Sequence, residues 1–329
     1  MSVNLSVFVA SIPTLLVIIL GYCALKFDLL KQSSVSDINQ FLVTFCLPAL
    51  LFTLIIDLDT STIDVSYIYI SLAHRAISLV FSAVIPVFLR KLPAFSSIPL
   101  NVFIFSTFSS LVWLNSIIIG LPVAEILFGK QSLDYLVISG ALDSIILLPI
   151  AVLLLQSRED SSSVIKSLAK TFATSTIILS VLVGAIYKFF MVVFDFPFPE
   201  VLSTTLTYLA NCVIGGLLVV IGMSFYLQLN QDDVKSDSEC SFAFLSWLFF
   251  LRLMLSPFIM WILVLIFRPA KHIADYAIYS VSLPLAIACF SVSKRFSKAT
   301  KTINILLIAT HFLMVPVLFV CSFVFNWDI

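Results

Sequence analysis

The chain has 329 residues, 61% of them hydrophobic and only 11% charged, with 18 cations balancing 18 anions. Soluble domains are roughly half apolar and a quarter charged, so a soluble fold could not hide this much apolar surface. With zero net charge and no basic stripe, nucleic acid is not an expected partner. The six cysteines, Cys23, Cys46, Cys212, Cys240, Cys289 and Cys321, form no close pair of metal-ligand spacing, so neither a metal nor a cofactor is expected.

A membrane-crossing helix needs about 20 mainly apolar residues. Such runs fall at 4–25, 37–56, 66–89, 101–128 and 133–155. The first run has no cation ahead of it and Lys26 behind it, the reverse of a removable leader, so it is expected to stay as a span. The polar stretch QSREDSSSVIKS follows, and then come further runs at 168–194, 201–228, 242–267, 274–293 and 301–325. The sequence predicts an all-α polytopic membrane protein of ten transmembrane helices. Residues 1–155 form a first five-helix repeat, 156–167 a short cytosolic linker, and 168–329 a second repeat.

Loop cations orient such a chain. With the amino terminus outside, the inner loops hold Lys26, Lys31, Arg90, Lys91, Arg158, Lys166, Lys170, Lys235, Lys294, Arg295, Lys298 and Lys301, against Lys130, Lys188, Arg268 and Lys271 outside. The expected topology therefore has both termini on the non-cytosolic side. The halves also match in order. Gly21 precedes Lys26 as Gly184 precedes Lys188, and Arg75 with Arg90 mirrors Arg252 with Arg268. Pro122 and Pro284 interrupt spans four and nine, and Pro149 and Pro316 lie in spans five and ten. Five spans per half is an odd number, so the second copy must be inverted, a pattern of secondary transporters with broken helices at corresponding places.

The run NSIIIGLPVAEILFG, 115–129, places the break of span four near Pro122. Proline removes an amide donor and clashes with the preceding turn, which leaves carbonyls near residue 118 without helical partners. In hydrocarbon, protein, water or substrate must satisfy them. A matching break at Pro284 brings two half-helix amino-terminal ends to one point, which favours an anion.

Here Asn115-Ser116 followed by Gly120-Leu121-Pro122 resembles the Asn-Thr-x-x-x-Gly-x-Pro motif of the auxin efflux carrier family, which includes the plant PIN proteins. Residues 21–52 also resemble the family's opening helices, with Gly-Tyr ending span one and Leu-Pro-Ala-Leu-Leu-Phe in span two. Span nine shares the proline and little else. The resemblance implies a scaffold of the first two helices of each repeat, a mobile transport domain of the last three, and a carboxylate held near the proline crossover. It implicates Asn115, Gly120 and Pro122 in substrate binding, with Ser116 beside the motif asparagine and Pro284 as the symmetry counterpart. The short central linker sets the chain apart from PIN proteins with long cytosolic loops.

His74, Arg75, Glu125, Asp143, Arg252 and His311 lie within apolar runs. Each costs at least about 2.5 kcal/mol at a bilayer centre if charged and unpartnered, so each suggests a pathway or a buried pair. Arg75 and Arg252 could pair with Asp143 and Glu125 or meet the substrate's charge. Asp143, deep in span five, is the candidate proton or ion-coupling site, and Glu125 either couples an ion or caps a half-helix. His74 and His311 read as hydrogen-bonded core residues.

Helix-end dipoles suit an anion and make a poor sodium cage. Flux is expected to follow voltage without sodium, unless a proton on Asp143 cancels the charge. The expected function is secondary transport of small organic anions across a plasma-membrane or endoplasmic-reticulum bilayer, with a homodimer left open. The alternative is a non-transporting receptor or scaffold that keeps the fold. An intramembrane enzyme would need GxGD, HExxH or GxSG, and none occurs.

Overall fold

The computed structural model describes residues 3–61, 63–156, 161–230 and 241–327. Arg158 and Lys235, counted above as inner cations, and Cys240 lie outside the described residues. Among the described residues all regular structure is helical, apart from one isolated antiparallel bridge.

Helix α1 is Val3–Lys26, α2 Ser34–Asp57 and α3 Val65–Leu89. Span four is two helices, α4 (Leu100–Val112) and α5 (Ser116–Phe128), and α6 is Leu133–Leu155. The second half holds α7 (Ser161–Thr174), α8 (Thr176–Phe194), α9 (Glu200–Leu229) and α10 (Phe242–Phe267). It ends with α11 (Lys271–Ser282), α12 (Ile287–Phe296) and α13 (Thr300–Val324). Eight of these are long and apolar enough to cross a membrane: α1, α2, α3, α6, α8, α9, α10 and α13. Their outer faces expose large apolar side chains such as Phe190, Val193, Ile266 and Phe323. Lipid can cover such surface, and the helices satisfy their own backbone groups.

Proline shapes four helices in the same way. Wide π-type turns at Leu42–Cys46, Ser116–Gly120, Asp143–Leu147 and Leu251–Leu255 each end two residues before a proline, Pro48, Pro122, Pro149 and Pro257 respectively. A proline ring clashes with the carbonyl one turn back and offers no amide to it. One wide turn relieves both defects without ending the helix. Asp143 and Arg252 both sit inside such turns.

Two boundaries differ from expectation. The break in span four falls at residues 113–115, ahead of Pro122, because the wide turn absorbs the proline. Span six begins at Thr176 rather than 168. Ser175 caps α8 by accepting from the Ile178 amide at 3.4 Å, and the preceding α7 starts inside the stretch expected to be linker.

Packing gathers most helices into two groups, with α1 bridging them through contacts on α5 and α13. In one, α1 lies along α9 while α2 packs on α8 and α9; in the other, α3 to α6 pack with α10 to α13. The α1–α9 contact is backbone to backbone. A methyl group on Gly222 would lie 1.9 Å from the Ile18 carbonyl oxygen, and one on Gly21 would lie 2.1 Å from that of Val219. Gly184, matched to Gly21 by order, would meet only ordinary contacts at 3.4 Å. Small residues that let backbones approach are a common basis for helix association in lipid.

Candidate functional site

Between α4 and α5 and between α11 and α12 the chain leaves the helix, and these two segments cross as a two-stranded contact. Leu114 and Leu285 form the antiparallel bridge, Asn115 N donates to Pro284 O at 3.0 Å, and Ala286 N donates to Trp113 O at 3.1 Å. Pro284 has no amide to give, and here it serves as an acceptor. Thr310 Oγ1 on α13 takes the Leu285 amide at 3.2 Å. These three bonds give the Asn115, Leu285 and Ala286 amides partners where the helices are interrupted.

The helix ends at the crossover are treated unequally. The last carbonyls of a helix have no partner within it and carry partial negative charge. Arg252, buried in α10, donates through Nη2 to Leu283 O just past α11 and through Nη1 to Ser110 O at the end of α4, the latter at 3.3 Å. Ser256, one turn along α10, donates to Leu111 O at 3.0 Å and meets His74 Nε2 at 3.2 Å. One cation and one hydroxyl thus serve both carboxy-terminal ends. Arg252 makes no pair with Glu125, which is exposed on α5.

The amino-terminal ends of α5 and α12 face a cavity instead. Its volume is about 300 Å³, and Asn115, Ser116, Ile117 and Ile118 line it from one break, with Ala286, Ile287 and Ala288 from the other. The first amides of a helix lack partners within it and carry partial positive charge. Across the cavity stand Val43, Leu47 and Leu51 of α2, Ile177 of α8 and Leu217 of α9, so it lies between the two helix groups. Its polar wall continues through Asp143, Ser144, Ser291 and Arg295. Among the described residues, Ser116 Oγ, Ser291 Oγ and Asp143 Oδ2 are buried without a hydrogen-bond partner.

A profile of the family described as "Membrane transport protein" matches residues 6–322, nearly the whole chain. The chain belongs to this family, that of auxin efflux carriers and PIN-like transporters. It is a family of transporters and not of enzymes. A search of curated proteins found no match.

Two further buried charges of the transporter, Arg75 and Asp143, pair with each other. Arg75 Nη2 and Nε lie 2.7 and 2.9 Å from Asp143 Oδ1. The remaining guanidinium donors go to Ser71 and Ser139, with Nη1 to Ser71 Oγ and Nη2 to Ser139 Oγ both at 2.6 Å. Asp143 thus ties α3 to α6 through one oxygen, and its other oxygen is buried without a partner.

The residues singled out in the sequence are not all in the cavity. Asn115, Ser116 and Asp143 line it, whereas Gly120, Pro122, Pro284, Glu125, Arg75 and Arg252 do not. Gly120 is needed for space, since a methyl group there would lie 2.8 Å from Leu283 Cδ1, and its carbonyl accepts from Tyr279 Oη at 2.8 Å. His311 bonds Asn115 from behind. Sequence reasoning missed Ser291 and Arg295, although Ile287, Ser291 and Arg295 recur every four residues after the break, the spacing of one helix face.

Proposed function

We propose that this transporter moves small organic anions, carboxylates above all, by alternating access at the crossover. The observation that carries the proposal is the unequal treatment of the helix ends: Arg252 occupies both carboxy-terminal ends, while both amino-terminal ends open on the cavity. Two such ends, each worth roughly half a positive charge, form a site for one carboxylate. Asn115 and Ser116 add donors, Arg295 adds a full cation, and the α2, α8 and α9 side chains offer an apolar wall for the rest of the molecule. A volume of about 300 Å³ suits a small molecule.

The ten spans in this account are α1, α2, α3, the α4–α5 pair, α6, α8, α9, α10, the α11–α12 pair and α13, with the second five inverted. The helices α1, α2, α8 and α9 act as scaffold, and the others rock against them. Loop cations support a non-cytosolic location for both termini, which epitope tags at each end, reachable only from outside sealed cells, should report. Thr171, Thr174 and Arg295 line the cavity on the side of the central connection. In that topology the present conformation is open to the cytosol.

Asn115→Ala is expected to reduce carboxylate flux in proteoliposomes about tenfold or more, the loss for one hydrogen bond to a charged group, with expression preserved. Unchanged saturation kinetics would place the substrate elsewhere. Carboxylate binding with no flux would make the chain a receptor.

A further inference from the structure

His311 lies midway along α13, is 1% exposed, and stands outside the cavity lining. Its Nδ1 is 2.6 Å from Leu307 O, which can only accept, so Nδ1 carries a hydrogen. Its Nε2 is 3.2 Å from Asn115 Nδ2, which can only donate, so Nε2 is bare. The ring is therefore neutral in this conformation. Asn115 is left with its carbonyl oxygen and one amide hydrogen for other partners.

A proton added at Nε2 would set two donors against each other. Half a turn of the Asn115 amide removes the conflict, because Oδ1 then accepts from the ring and both Nδ2 hydrogens become free. We propose that His311 is a positioning residue and proton switch for the substrate site, whose protonation reverses the Asn115 amide and makes the crossover a pure hydrogen-bond donor. The proposal rests on the reading that the cavity holds a carboxylate.

The surroundings make this proton conditional on an anion. The helices packed on α13 are α1, α9, α10, α11 and α12, and the one charge on α9, Glu200, stands at its first residue. Most of their charges stand near helix ends: Lys26 on α1, Lys271, His272 and Asp275 on α11, and Lys294 and Arg295 on α12. The charged group that acts on the ring is Arg252 of α10, a cation. A second positive charge beside it, buried, is unfavourable until a carboxylate arrives at the neighbouring helix ends. Proton and anion then bind together, each raising the other's affinity by the same factor. A proton that stays on through transit cancels the anion's charge, so the response to voltage fades as the pH falls.

Magic-angle-spinning NMR on the full chain in lipid nanodiscs, labelled with [15N]histidine and [15N]asparagine, tests this directly, with benzoate as the probe. The chain has three histidines, and His311→Gln identifies the relevant signal. The expected ring is neutral with hydrogen on Nδ1 near pH 9. On acidification it becomes doubly protonated, and the Asn115 side-chain signal moves over the same range. Saturating benzoate should raise the midpoint by about one pH unit, a roughly tenfold coupling. His311→Gln, whose amide can still partner Asn115, should bind benzoate with little pH dependence. That variant also separates the ring from Asp143, the other titratable group in the wall.

A ring that stays neutral down to about pH 5 in saturating benzoate, or one that titrates while Asn115 stays still, overturns the switch. Benzoate without effect on any labelled signal counts against the transport reading, and in the empty protein the switch then stands or falls on whether the Asn115 signal moves when the ring is finally protonated at lower pH.

Discussion

Arg252→Met is expected to abolish flux and to lower the thermal midpoint in detergent more than substitution of any uncharged cavity-lining side chain. Among the described residues no carboxylate pairs directly with this buried guanidinium, and Asp143 acts on it only at longer range, an arrangement that is ordinarily costly. Its compensation is the pair of carboxy-terminal helix ends, whose partial charges of roughly −0.5 each sum to about one electron. Methionine would fill much of the volume but leave Leu283 O and Ser110 O without donors, at about 1–3 kcal/mol for each buried orphan. The crossover strands would then lose their fixed register, and the cavity its shape. Arg252→Lys should recover only part of the loss, because one ammonium on a flexible stem cannot reproduce a fork that reaches two carbonyls. A lysine variant with full flux would show that charge alone, without bidentate geometry, sustains the site.

The second large effect is expected at the Arg75–Asp143 pair. Asp143→Ala leaves a buried cation with only serine and carbonyl partners, and breaking one side of a buried pair costs about 3–5 kcal/mol. Replacing both partners with apolar residues, Arg75→Met with Asp143→Leu, removes the stranded charge and should restore most of the thermal midpoint. Flux should stay low in the double variant, because Asp143 also lines the cavity. A double variant no more stable than Asp143→Ala would mean that the pair acts on the fold through something other than charge compensation.

Much of the fold was legible because spanning helices announce themselves as apolar runs: those at 133–155 and 242–267 coincide with helices, and that at 66–89 misses one residue. The position of the break was not. Pro122 is the strongest local signal in span four, yet a wide turn accommodates it. The actual break at 113–115 is stabilised by Leu285 and Pro284, far along the chain, which leave no mark nearby.

Arg75 and Arg252 looked equivalent in order and spacing, but their partners differ in kind. Ser71 lies one turn before Arg75, and Ser139 and Asp143 share one face of α6, whereas Arg252 meets carbonyls freed by breaks elsewhere. Backbone partners of that sort have no residue type and cannot be read from side chains. Glu125 looked buried only because its neighbours are apolar; it is exposed near the end of α5.

The central claim is that negative charge, met by two helix amino termini, is what the site selects. The most direct measurement is uptake into voltage-clamped proteoliposomes of radiolabelled carboxylates, each challenged in excess by its own primary amide, benzoate with benzamide among them. The amide keeps the shape and apolar body and lacks the charge. Saturable carboxylate uptake that requires the protein, needs no sodium and resists competition by the amide is the predicted result. Uptake blocked equally well by the amide, or no carboxylate crossing faster than in protein-free liposomes, would contradict it.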